Sequence, residues 1–486
     1  MSAPEPLRLL RLLACVLVVP LLGVGIATVL RGHADASFAL ELERSLTPGA
    51  PPRTKPLTLA ELCAGRDADT YQACNGDAGY RLFAGVSIAA GAVGLLLLAG
   101  IALASVAARI DRRLLLTLFR AELYVAATVV TGLIVIHALI ATVSMYAGVQ
   151  AVLPGTPMLF GGVILAGAFA GVRVVPPAVF AAVRPGRVFA FGGRVTREQA
   201  PDLWRLVESL ATRLRARPPD AIVTGLDANF FVTEMPLQTP NGPCDGRTLY
   251  CSLPLLRILT VGELSAVIAH ELGHFRGDDT AFSQRFYPIH AGTSAAIEGL
   301  AVSGSGARKI ALLPAIAIFE FLLHRFAVAD GRHARERELV ADQASTEVTS
   351  ARVVATALVK SHAYGPLWPD ALEQATARPV RPGERVPNAS EIFASAASHA
   401  AGPALLDGIL ERHTPHPTDR HPSLAVRLDA LGVSLEDVAA DALRVAPVEP
   451  AASLVPTGVL HEEALSLIAG LSRHPGLDGR EPTPND

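Results

Sequence analysis

The sequence predicts an integral-membrane chain, mainly α-helical, with one soluble α+β domain in its second half. Three observations predict this. Half of the 486 residues are hydrophobic although only 5% are aromatic, and mean hydropathy is positive. Long uncharged runs fill much of the stretch before position 175. From about 185 the pattern changes to short amphipathic segments broken by Gly, Pro, Asp and Asn. A formal net charge of −3 gives no electrostatic basis for a nucleic-acid partner, so none is expected.

The membrane region is expected over 1–184, with about four transmembrane helices near 12–30, 82–108, 123–148 and 157–175. Leu12–Leu30 follows Arg8 and Arg11 and exceeds the apolar centre of a signal peptide, so it reads as a retained span. Leu82–Ala108 is fenced by Arg81 and Arg109. No formal charge interrupts Leu123–Val172, which is too long for one helix, and Pro154-Gly155 divides it. Ala311–Leu323 is apolar but short and contains Pro314 and Glu320, so it is expected as a core or membrane-surface helix.

Orientation follows from arginine in short flanks. Arg109, Arg112, Arg113 and Arg120 separate the second and third spans, and Arg173, Arg184, Arg187, Arg194 and Arg197 follow the fourth. These sides are expected in the cytoplasm, together with the soluble domain. The 31–81 loop then faces outward, where a Cys63–Cys74 disulfide is chemically allowed. Lysine occurs only at positions 55, 309 and 360. That is a coding bias of GC-rich genomes, which points to a bacterial inner (plasma) membrane.

The soluble domain is expected over 185–431, with 432–486 as a partly disordered C-terminal extension. Leu203–Leu214 has helical apolar spacing and ends before Pro218-Pro219. Ala221–Thr224, Asn229–Thr233 and Arg247–Leu253 read as strands of a small, mostly antiparallel sheet. Val261–Arg276 is the next helix, with Glu263 in its first turn, and Arg335–Thr349 is a charged helix.

Chemistry concentrates in His270-Glu271-Leu272-Gly273-His274. The four-residue spacing puts both imidazoles on one helix face, where they can share a tetrahedral Zn²⁺, and sets Glu271 beside it as a general base. Val267, Ile268 and Leu272 mark the helix as a core element, where paired histidines need a polar purpose. A third protein ligand is required, and Glu338 and Asp342 share one face of the charged helix. One of the two can bind the metal while the other accepts an imidazole N–H. Glu336 points elsewhere. Cys244 and Cys251 fit no common zinc spacing.

These residues resemble the HtpX and CAAX prenyl protease type of membrane zinc metallopeptidase. The resemblance rests on Asn229-Phe230-Phe231, on His270 to His274, on Arg335 with Glu338 and Asp342, and on His421-Pro422 with Arg427 and Leu431, in that order. It implies a zincin-like (gluzincin) protease domain with one Zn²⁺ per chain, held by His270, His274 and Glu338 and steadied by Asp342. It also implies that His421 and Arg427 lie near bound substrate, and that Asn229 and Phe230 lie on a substrate-pairing edge. Phe230 stands where the family pattern has a small alanine. The implied partners are the lipid bilayer and membrane-associated or misfolded protein substrates. A CAAX-type processing protease and a catalytically silent zinc scaffold are the alternatives.

Overall fold

The charge-free stretches fall within long helices, α1 (Glu5–Ser45), α3 (Gln72–Ala107) and α4 (Arg112–Val152), with the short α2 (Leu59–Cys63) between the first two. The structure is a computed structural model. It describes residues 5–45, 58–63, 72–152, 188–276, 279–302, 307–377, 384–411 and 420–473 apart from 446 and 457, together with scattered positions between 162 and 177. Two compact units emerge, one made of 1–184 with 289–327 and the other of 185–288 with 328–486.

In the first unit α1, α3 and α4 pack against one another. Two glycines make the close approach possible. A side chain at Gly23 would run into Ser87 and Ile140, and one at Gly94 would run into Val16. Beyond the most apolar stretch, the fully buried Asp77 carboxylate is paired at 2.7 Å with both Arg31 and Arg81. Cys63 and Cys74 are joined, with Cα atoms 5.7 Å apart.

Among the described residues, four helical stretches are long and apolar enough to cross a membrane: Leu7–Leu42, Cys74–Ala107, Arg112–Gln150 and Leu312–Thr346. The runs at 12–30, 82–108 and 123–148 lie almost entirely within the first three. Most of 157–175 falls outside the described residues. Ala311–Leu323 differs from expectation. It belongs to a helix that continues to Thr346, and Pro314, close to the helix start, does not end it.

The second unit opens with β1 (Val188–Phe189), β2 (Gly192–Val195), α5 (Pro201–Leu214), β3 (Ala221–Gly225) and β4 (Phe231–Thr233). Next come β5 (Leu237–Thr239), β6 (Gly242–Cys244), β7 (Thr248–Ser252), α6 (Leu253–Leu256) and α7 (Val261–Arg276). Helix α8 (Asp279–Val302) and helix α9 (Ala307–Thr346) each contribute to both units. The fold closes with α10 (Ala351–Tyr364), α11 (Trp368–Thr376), α12 (Ala389–Ala400), α13 (Leu424–Leu431), α14 (Leu435–Ala442) and α15 (Gly458–Arg473).

The main sheet has strand order β2-β3-β7-β4. Its outer ladders are antiparallel, as expected, whereas the central β3–β7 ladder is parallel. The 22 residues between these two strands carry β4, β5 and β6, enough chain for the crossover a parallel pair needs. Both central strands are buried along their whole length. The expected strand at 229–233 begins only at Phe231, so Asn229 and Phe230 lie in the loop leading to the β4 edge.

Helix α5 starts with Pro201 and buries Leu203, Trp204, Val207, Leu210, Ala211 and Leu214 along one stripe. It packs on α7. The stretch expected as a C-terminal extension is folded as far as 473. Val438, Ala442 and Leu465 enter the domain core, and Ala451 N donates to Leu259 O at 2.9 Å.

Candidate metal centre

The N-terminus of α7 is closed by a reciprocal cap. Glu263 N donates to Thr260 Oγ1 at 3.1 Å, and Thr260 N donates to Glu263 Oε2 at 2.8 Å. Ala266, Ile268, Ala269 and Leu272 then bury the helix in the core. Gly273 faces α9, where a Cβ would lie 3.3 Å from Ala341 Cα. One turn further along α9, Ser345 Oγ donates to Ala266 O at 2.7 Å. This close crossing sets Glu338 and Asp342 against the two histidines.

His270 Nε2 lies 3.5 Å from Glu338 Oε2, and His274 Nε2 lies 3.4 Å from Glu338 Oε1. Among the described residues, His270, His274 and Glu338 form the one group whose ligand atoms all lie within 4.8 Å of one another. Ligands bound at 2.0–2.1 Å around a tetrahedral ion are separated by about 3.3 Å, close to the spacings found here. Glu338 Oε2 is buried and receives no hydrogen bond of acceptable geometry from a described residue. His270 Nδ1 meets Asp342 Oδ1 at 2.9 Å, so when it donates there its Nε2 lone pair points at a carboxylate. Two acceptors facing each other in a buried site call for a cation. The donor set fits zinc.

Arg427 is fixed by α13, whose first turn is capped by Ser423 Oγ accepting from Val426 N. Its guanidinium is buried and forks onto Asp342, with Nε to Oδ2 at 2.8 Å and Nη2 to Oδ1 at 2.6 Å. Nη1 lies 3.6 Å from Glu338 Oε2. Burial pushes the Asp342 carboxyl up, but Arg427 and His270 together hold it below the usual carboxylate range. Burial likewise opposes ionisation of Glu338, and the surrounding imidazoles hold it well below that range. Glu271 is shifted upward, chiefly by burial. An acid of raised pKa suits a group that must take up and return a proton.

His421 Nδ1 stands 2.9 Å from Glu338 Oε2, and its side chain is 71% exposed. A second His-Pro pair in the sequence, His416-Pro417, lies outside the described residues. Asn229, Phe230, His270, Glu271, Glu338, Asp342, His421 and Arg427 all line one cavity of about 510 Å³. Thus the structure brings together all nine residues singled out in the sequence, His274 joining through the metal group. Glu336 is exposed and pairs with Arg332. Cys244 and Cys251 are buried free thiols.

Sequence reasoning missed the apolar wall of this cavity, built by Leu255, Val354, Ala357, Leu358 and Ile409. The positions 354, 357, 358 and 361 repeat at helical spacing, but such a stripe reads equally well as ordinary core. It also missed Lys360, fully buried, whose Nζ donates to Glu263 Oε2 at 2.9 Å and to Ile258 O at 3.2 Å.

Fold and site define the class: two histidines of an H-E-x-x-H helix joined by one carboxylate from a second helix, beside an edge strand of the sheet among the described residues. Comparison with known proteins agrees, since residues 199–433 match the model of peptidase family M48. The chain is 29% identical over 175 residues to a protease HtpX homolog of Archaeoglobus fulgidus, covering 35% of this chain and 49% of that protein. It is 26% identical over 230 residues to a protease HtpX homolog of Paenarthrobacter aurescens, covering 46% and 70%. With the protease HtpX homolog of Aeropyrum pernix the identity is 30% over 200 residues, covering 37% and 58%. The chain therefore spans only about half the length of the first of these relatives. Residues 199–433 are thus similar to peptidase family M48, and the relatives are of the HtpX type.

Proposed function

We propose that this chain is a membrane-bound zinc-dependent endopeptidase acting on membrane-associated or misfolded proteins, with its catalytic domain on the cytoplasmic side of a bacterial plasma membrane. One observation carries the proposal. His270, His274 and Glu338, drawn from two helices far apart in sequence, bring three ligand atoms together at zinc spacing, with Glu271 open to the adjoining cavity. Four helices of membrane-crossing length and apolar composition support the bilayer as its setting.

His270, His274 and Glu338 would hold one Zn²⁺, which when bound acidifies water and polarises a carbonyl. Glu271 removes the proton of the attacking water and delivers it to the leaving amine. Asp342 fixes the tautomer and orientation of His270. Arg427 acts as a positioning residue, because two of its nitrogens are committed to Asp342. That leaves the exposed His421 to face the oxyanion, a division of labour the sequence resemblance did not make. The β4 edge supplies main-chain pairing for an extended substrate, with Asn229 and Phe230 at its entrance.

The test is metal analysis with cleavage of casein and of a membrane-protein substrate by the purified full chain in detergent. Zinc at one per chain and chelator-sensitive cleavage are expected. Glu271→Gln should keep the metal and lose at least ~100-fold in turnover, while His270→Ala should lose both. Wild-type protein that holds zinc but cleaves neither substrate nor a prenylated peptide would instead identify a silent scaffold.

A further inference from the structure

We propose that the cavity beside the metal centre selects an apolar side chain on the residue flanking the scissile bond, and that Leu358 on α10 sets the size it accepts. This rests on the endopeptidase reading of the same site.

The lining of the cavity falls into two chemically distinct sets. One comprises the candidate metal-ligating and proton-transferring groups already described. The other comprises Leu255, Val267, Val354, Ala357, Leu358 and Ile409. A substrate whose scissile carbonyl meets the first set brings its neighbouring side chains into the space lined by the second. A volume of about 510 Å³ is in the range of pockets that enclose a ligand group.

The apolar wall carries no carboxylate, ammonium or guanidinium. The formally charged residues lining the cavity are Glu271, Glu338, Asp342 and Arg427, all of them in the metal centre. The hydroxyl and one imidazole nitrogen of its polar residues meet their own helix: Ser361 Oγ donates to Ala357 O at 2.9 Å, and Nδ1 of the exposed His362 lies 2.9 Å from Leu358 O. A substrate carboxylate or ammonium held against the aliphatic residues loses its hydration and meets no opposite formal charge, whereas an aliphatic or aromatic side chain loses nothing.

The wall is also held in place. Its helix is capped by Ser350, whose side chain accepts from Val353 N. Lys360 ties it to Glu263 at the start of the catalytic helix. Both positions flank the cavity residues, so the distance from wall to metal centre is fixed by structure. Leu358 is only partly buried, unlike Ala357 beside it, and can be resized at less cost to the core.

The experiment compares zinc-loaded full chain in detergent on a quenched-peptide series that varies only the two residues flanking the cleaved bond. Leucine or phenylalanine at one of them should be favoured over aspartate or lysine by ~30-fold or more in kcat/KM. Leu358→Trp should move the preference toward alanine and Leu358→Ala toward tryptophan, each by ~10-fold in the ratio of kcat/KM values. Zinc content is measured alongside as a check on folding. Ala357→Val supplies a second narrowing variant should Leu358→Trp fail that check. Cleavage of all peptides at similar rates, or a preference unmoved by the resizing variants, overturns the inference and leaves the endopeptidase standing. No cleavage of any peptide by zinc-loaded wild type overturns both.

Discussion

At the scale of single residues, Asp342 ties together two side chains of the centre from outside the candidate ligand set. It accepts from Arg427 through both oxygens and meets His270 Nδ1, so one carboxylate orients an imidazole and neutralises a buried guanidinium. Asp342→Asn keeps the shape but cannot accept on both sides. A 10–100-fold loss of zinc affinity is expected, measurable by competition with a chromogenic chelator. Its depressed pKa also makes a pH statement. A carboxyl held below the usual range stabilises the fold at pH values above that range, and the contribution disappears as protons return to it in acid. The thermal midpoint of the wild type should therefore fall more steeply between about pH 5 and pH 3 than that of Asp342→Asn.

At the scale of elements, the centre depends on α7 and α9 crossing closely. Gly273 sits where the two backbones approach, and Gly273→Val should push them apart, emptying the site although no ligand is altered. Zinc-to-protein stoichiometry after gel filtration checks this. The buried Lys360–Glu263 pair locks α10 to the start of α7. Lys360→Met strands a charge and should cost about 3–5 kcal/mol in chemical denaturation. Adding Glu263→Gln should restore much of that, since the amide oxygen can still receive Thr260 N.

These elements also show how far the sequence could be read. The two histidines and their glutamate were visible because ligand spacing is a local property of one helix. Glu338 and Asp342 were visible as a pair, but their division of roles needed the family resemblance, since either carboxylate satisfies the spacing. Arg427 could be placed near the site by that resemblance, yet its commitment to Asp342 is a contact across 85 residues that no local pattern encodes. The parallel β3–β7 ladder was missed because the crossover that joins the two strands is itself built of short strands. The length of α9 was missed because Pro314 and Glu320 appeared to interrupt it, although proline is tolerated near a helix start and one acid does not end a long apolar stretch.

At the scale of the whole molecule, the region that matches the family ends at 433, but the domain does not. Ala451 N donates to Leu259 O, Val261 N donates to Glu449 O, and Arg257 forms an ion pair with the buried Glu462. All three contacts hold the segment from which α7 starts. A chain cut after 433 is expected to express without binding zinc, and limited trypsin digestion should find its domain open where the full chain resists. The same arrangement governs timing. Synthesis delivers both histidines and Glu338 long before α15, which carries Glu462, emerges from the ribosome. The start of α7, and with it the seat of both histidines, therefore stays unsecured until α15 has been made.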